Sequence, residues 1–155
     1  MKSHPQNLGI AIVSLLVVAC TSGRTDSPQR YVPITQSMQP LGELLLGNRD
    51  LQLTALKGQM KLDYVGIMPD TAGEDLAGAS IYRVKNSDAF FKANTGTSGF
   101  CAEAPRWVAV NSENGAPAWS NEIWVGMLTL EDWAKFTPPI NRVCISGTYI
   151  RTAAP

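Results

Sequence analysis

The chain has 155 residues, room for one domain and not for two once an apolar leader is set aside. Its 13 basic and 13 acidic residues cancel, and the nearest approach to a basic cluster is Arg83-Val84-Lys85, so no nucleic-acid partner is expected, because neutralising phosphates needs clustered Lys and Arg. The one histidine, His4, precedes the apolar stretch, so the chain beyond it has no imidazole for a Ser-His-Asp or Cys-His pair or for zinc.

Leu8 to Cys20 reads Leu-Gly-Ile-Ala-Ile-Val-Ser-Leu-Leu-Val-Val-Ala-Cys, an uncharged apolar run behind a short polar start carrying Lys2. It is too short to span a bilayer, which takes about 20 apolar residues, and fits a cleaved targeting segment. The run ends Val17-Val18-Ala19-Cys20 and here resembles the lipobox of bacterial lipoprotein signal peptides. The resemblance implies cleavage after residue 19 and a diacylglycerol on the Cys20 sulfur. Val17 and Val18 depart from the Leu and small or polar residues usual there. Thr21 follows; the absence of Asp at that place resembles an outer-membrane sorting signal, and more than one acyl chain makes such an anchor stable. The expected address is therefore the outer membrane, facing the periplasm, with the membrane held through lipid.

Residues 20–40 are rich in Ser, Thr, Gln and Pro, a composition that buries too little apolar surface to offset its ordering entropy. We read them as a flexible lipidated stalk, with Tyr31-Val32-Pro33-Ile34 as a possible arm on the domain. The domain proper is expected over 41–152. Leu51 to Ala55 alternates with period two, Lys57-Gly58-Gln59 offers a turn, and Met60, Leu62 and Tyr64 resume the alternation as a hairpin partner. Pro69 to Gly78 is a loop by its Gly, Pro and acid content. Ser80 to Val84 places Tyr82 and Val84 on one strand face, and Ser87 to Phe91 suits one helical turn capped by Ser87.

Arg106 to Val110 reads as a strand with Trp107 and Ala109 on one face, Val108 and Val110 on the other, and both faces partly covered. Asn114-Gly115 suits a tight reversal. Ile123, Val125 and Met127 then oppose Trp124, Gly126 and Leu128 on a further strand. Thr129 to Phe136 suits a short capped helix stopped by Pro138 and Pro139. Arg142 to Arg151 alternates again, with Gly147 marking a bulge or bend. The fold class expected is all-β: a small antiparallel sandwich or barrel of about six strands, one or two short helices and one disulfide.

The disulfide follows from cysteine usage. With Cys20 acylated, Cys101 and Cys144 remain as a pair in an oxidising compartment. Closing that loop stabilises the domain by roughly 4 kcal/mol on the chain-entropy model. Other chemistry is thinly supplied. Ser-x-x-Lys is absent, and Glu74-Asp75 and Glu131-Asp132 are sequence neighbours, whose side chains diverge on a strand or a helix and make no ready acid/base dyad. Asp70, Glu74 and Asp75 lack the alternating oxygen ligands of a calcium loop. No catalytic residue, metal site or cofactor is expected.

Trp107, Trp119, Trp124 and Trp133 lie close together in the sequence and are the candidate binding surface, with core packing as the competing reading and Trp119 the one best placed for exposure. Exposed rings would stack on sugars or anchor a protein. In plan, a small disulfide-stapled β-domain behind a lipobox resembles periplasmic lysozyme-inhibitor lipoproteins. The Phe100-Cys101 and Val143-Cys144 settings resemble small periplasmic lipoproteins, a likeness that brings no known activity. The expected function is a non-enzymatic binding or inhibitory role toward a protein or peptidoglycan partner. The alternatives are an assembly accessory of an envelope complex and, more remotely, a carboxylate-dependent glycan hydrolase.

Overall fold

A computed structural model describes residues 27–72, 76–112, 120–132 and 143–152. The leader, Cys20, Glu74-Asp75, Asn114-Gly115, Trp119, Trp133 and the Pro138-Pro139 stop lie outside the described residues. Eight strands close into one antiparallel barrel in simple chain order. They are β1 (Gln29–Pro33), β2 (Leu44–Leu46), β3 (Asp50–Leu53), β4 (Met60–Ile67), β5 (Ser80–Val84), β6 (Trp107–Asn111), β7 (Glu122–Leu128) and β8 (Val143–Arg151). Closure comes from β1, which pairs with β2 on one side and with β8 on the other, Tyr31 lying opposite both Leu44 and Arg151.

Six of these strands, β3 to β8, are the six expected from alternation, and the extra two come first in the chain. The expected stalk is corrected from residue 29 onward, and with it the domain start at 41, while residues 20–26 lie outside the described residues. Gln29–Pro33 is a barrel stave, and Gln36–Leu41 is a 3-10 helix whose Met38 and Leu41 are fully buried. Polar composition misleads here because in β1 one side chain, Tyr31, carries the burial while main-chain pairing holds the rest. The 3-10 segment is sewn to β8: Thr148 N–H donates to Thr35 Oγ1 at 2.8 Å, and Ser37 Oγ donates to the Ser146 carbonyl at 3.1 Å. This explains Gly147. No register shift falls there; a Cβ at that position would run into Met38 and Thr35, so the glycine permits close approach and does not bend the strand.

Because side chains alternate across a strand, each stave sends one set inward. Leu44, Leu46, Leu51, Leu53, Met60, Leu62, Val108, Val110, Ile123, Val125 and Met127 fill the barrel with Tyr31 and Tyr149. Filling by side chains is what an eight-stranded closure allows. The outward set on β5 to β7 is covered too. Ile81, Ala109 and Leu128 pack with Met68, Ala72, Leu76 and Ala79 from the β4–β5 connection into a second apolar cluster. The two-sided cover expected for Arg106 to Val110 is therefore present.

The loops alternate between two ends. At one, which we call the plugged end, lie the 3-10 segment, the β3–β4 turn, the β5–β6 connection with helix α1 (Ser87–Asn94), and the start of β8. Leu41, Leu56, Phe90 and Cys101 join the interior core there, Phe90 meets Phe100 edge-on at 5.8 Å, and Cys101 is joined to Cys144 with Cα atoms 5.3 Å apart. Helix α1 runs two turns where one was expected. Its N-cap is Asn86, and the Ser87 hydroxyl has no partner among the described residues. Asn86 uses its amide to bridge the chain at β4, accepting from Lys61 N–H and donating to the Gln59 carbonyl. Asn94, buried at the helix's last turn, accepts from Lys57 N–H at 2.7 Å and donates to the Lys57 and Phe90 carbonyls. Of the helix expected over Thr129 to Phe136, residues 129–132 are described and are not helical.

Candidate binding surface at the entry end

The opposite end, where the chain enters β1, carries the β2–β3 turn, the β4–β5 and β6–β7 connections and the end of β8. Its geometry follows from one mismatch of length. β3 pairs with β4 only through Asp50 opposite Lys61 and Leu51 opposite Met60, with a further bond from Leu62 N–H to the Arg49 carbonyl at 2.8 Å. The chain then turns back through 47–49, while β4 continues to Ile67 beside β5 alone. The β3 side of β4 is thus left without a paired strand over its last residues, among the described residues.

Four side chains occupy that ledge. Tyr64 lies opposite Tyr82, and Ile67 lies opposite Ser80. The two rings meet edge-on with centroids 5.6 Å apart, a favoured arrangement of aromatic quadrupoles. Tyr82 and Ser80 turn into the barrel, whereas Tyr64 is 58% and Ile67 60% exposed, the highest values among the described large apolar side chains. A T-shaped pair beside an exposed isoleucine gives a flat apolar step able to hold a sugar face or a partner's side chain. On the other face of the same strands, Asp63 lies 3.5 Å from Arg83 and 3.8 Å from Lys85. Those exposed pairs contribute little to stability.

All four tyrosines of the chain, Tyr31, Tyr64, Tyr82 and Tyr149, stand at inward register positions, and burial changes the chemistry of three. Desolvation raises the Tyr31 phenol above its ordinary value, while the Arg151 guanidinium opposes that rise. Burial lifts Tyr82, with a side-chain hydrogen bond to Ser80 working against it and Tyr64 adding to it. Tyr149, 0% exposed, is raised furthest, by burial alone. Tyr31 OH donates to the Ser120 carbonyl at 3.3 Å, but the Tyr149 hydroxyl has no partner among the described residues. These phenols stay protonated at neutral pH and can act there as hydrogen-bond donors and ring surfaces.

The two described tryptophans of the expected surface are placed elsewhere. Trp107 and Trp124 are half-buried against the second apolar cluster. Trp107 Nε1 donates to the Leu130 carbonyl at 2.8 Å, and the Trp124 ring lies over Gly126, where a Cβ would collide with it. They roof the outer face of β6 and β7. Alternation placed Tyr64 with Met60 and Leu62 on one strand and Tyr82 with Val84 on another, but their pairing, Ile67 and the exposure of the ledge depend on strand register and on where β3 stops, which no local pattern announces. Among the described residues no group of three or more His, Cys, Asp or Glu could hold a metal, and no helix is long and apolar enough to cross a membrane.

No family model, no curated protein and no solved structure matches this chain.

Proposed function

We propose that the chain is a lipid-anchored envelope protein, held on the outer membrane through Cys20 and facing the periplasm, that works by binding a protein or peptidoglycan partner and not by catalysis. The ledge of Tyr64, Tyr82 and Ile67 is the observation that carries the binding role: an exposed aromatic and aliphatic step on a rigid barrel, where the interior is filled by packed side chains. The lipobox order of charge, apolar run, Ala19 and Cys20 supports the anchor. Entry of the chain into β1 nine residues after Cys20 limits the tether to about 30 Å at full extension.

Two measurements test this reading. Mass spectrometry of the native protein is expected to find residues 1–19 removed and an acylated Cys20; a free thiol there, or an intact leader, refutes the anchor. Sedimentation with purified peptidoglycan and a muramidase inhibition assay test the binding role. Retention or stoichiometric inhibition that weakens at least tenfold in Tyr64→Ala, with the fold unchanged, is the expected result. Equal behaviour of the variant and the parent would remove the ledge from the account.

A further inference from the structure

We infer that the ledge edge of β4 pairs with the same edge of a second copy of this chain. The inference rests on reading the ledge as a contact surface, not on the anchor, and it names the partner. Leu62 N–H donates toward β3, to Arg49, and Lys85 N–H donates to the Lys61 carbonyl on the β5 side. Backbone directions alternate along a strand, so the Tyr64 N–H and carbonyl point away from β5, into the space that β3 vacates by turning at 47–49. Beyond the register shift between Tyr64 and Gly66, Met68 N–H donates to Ala79, which puts the Ile67 groups on the free side as well.

Those two residues are three apart in sequence, yet their partners on β5, Tyr82 and Ser80, are two apart. The bulge absorbs the extra residue. Tyr64 and Ile67 therefore present main-chain groups that are unpaired among the described residues at the spacing an antiparallel ladder requires. Outward N–H and C=O groups in that pattern select an extended backbone as their occupant. An antiparallel edge is moreover its own complement about a two-fold axis. With the axis between them, Tyr64 lies opposite the partner copy's isoleucine 67, and the reverse pair repeats the contact, for four main-chain bonds in all. Both side chains stand on one face, so each contact is an aromatic beside a β-branched residue, a favourable cross-strand pair. The two most exposed large apolar side chains described are thus the two this pairing covers. Charge does not oppose it: Asp63 is already matched by Arg83 and Lys85, and Lys61 lies 3.9 Å from Asp50.

Sedimentation of the full chain and of its Cys20→Ser form over a dilution series tests the pairing with and without the anchor. Reversible dimerisation of both forms is expected. Ile67→Pro deletes a free-side N–H, leaves the β5 ladder its donors and follows a glycine that tolerates the constraint, so it should weaken the dimer about tenfold or more, while Ile67→Val should restore it. Because the proline variant could misfold, amide exchange of the parent protein gives a second reading: Tyr64 and Ile67 N–H protection should rise with concentration while that of Asp63 stays constant. A monomer at every concentration, or concentration-independent exchange at both residues, overturns the inference. A dimer that ignores peptidoglycan removes the glycan partner and supports the edge; peptidoglycan binding by a strict monomer does the opposite.

Discussion

The two ends of the barrel solve the same problem in opposite ways. At the plugged end a 3-10 segment, the side chain of Leu56, helix α1 and the Cys101–Cys144 bridge bring Met38, Leu41, Phe90 and Phe100 over the interior, so apolar surface is buried and the connections are tied down. At the entry end β3 stops short, β4 overshoots it, and Tyr64 and Ile67 stay in water beside the half-buried Tyr82. Stability is therefore concentrated at one end, and surface available for contact at the other. Substitutions chosen from the two ends should differ in what they change.

The largest expected effect is at the plugged end. Replacing Cys101 and Cys144 by serine opens a cross-link of sequence separation 43 and should cost about 4 kcal/mol on the chain-entropy model, measured by urea unfolding; an unchanged midpoint would mean the bridge does not secure that end. Leu41→Ala, at a fully buried side chain, should cost about 3 kcal/mol, whereas Ile67→Ala on the ledge should move stability by less than about 0.5 kcal/mol. Equal losses at the two sites would erase the contrast between the ends. Next comes Asn94→Ala, which strips two hydrogen bonds joining α1 to the β3–β4 turn and a third to the Phe90 carbonyl within α1 and should cost about 2 kcal/mol.

The smallest effect sharpens the picture of the entry end. Tyr149→Phe removes a buried hydroxyl without a described partner and should be neutral or stabilise the fold by about 1 kcal/mol at neutral pH. Its consequence for pH has a definite sign. Burial raises the phenols of Tyr31, Tyr82 and Tyr149 in the fold, whereas in the unfolded chain they ionise near pH 10. Their contribution is complete below about pH 10 and is lost as pH rises from there through the raised folded values, because the unfolded chain then binds fewer protons. Unfolding midpoints should fall above about pH 10, and less steeply in Tyr149→Phe; parallel profiles would contradict the burial of that phenol.

How much was legible in the sequence divides along physical lines. The strands β3 to β8 announce themselves because half-buried staves alternate, as Ile123, Val125 and Met127 do against Trp124, Gly126 and Leu128. β1 does not, since Gln29, Arg30 and Pro33 surround its one fully buried residue and its place is set by pairing with β2 and β8. β2 is a run of three leucines with no alternation to read. The pairing of Cys101 with Cys144 was open to inspection because two thiols remained once Cys20 was assigned to lipid. The ledge was hidden for another reason: Tyr64 and Ile67 are ordinary strand residues, and only the comparison of where β3 ends with where β4 ends exposes them. The tryptophans stand out by type, yet the two described ones roof the outer cluster of β6 and β7, because large rings are the efficient cover for a strand face bearing alanine and glycine.

Residue-resolved amide exchange of the dilute protein tests closure and the unlike ends together. Slow exchange is expected in β1 at residues 30–32, matching β7, with fast exchange at the Tyr64 and Ile67 amides within an otherwise protected β4. Fast exchange across β1, or a Tyr64 amide protected in the monomer, would contradict that expectation.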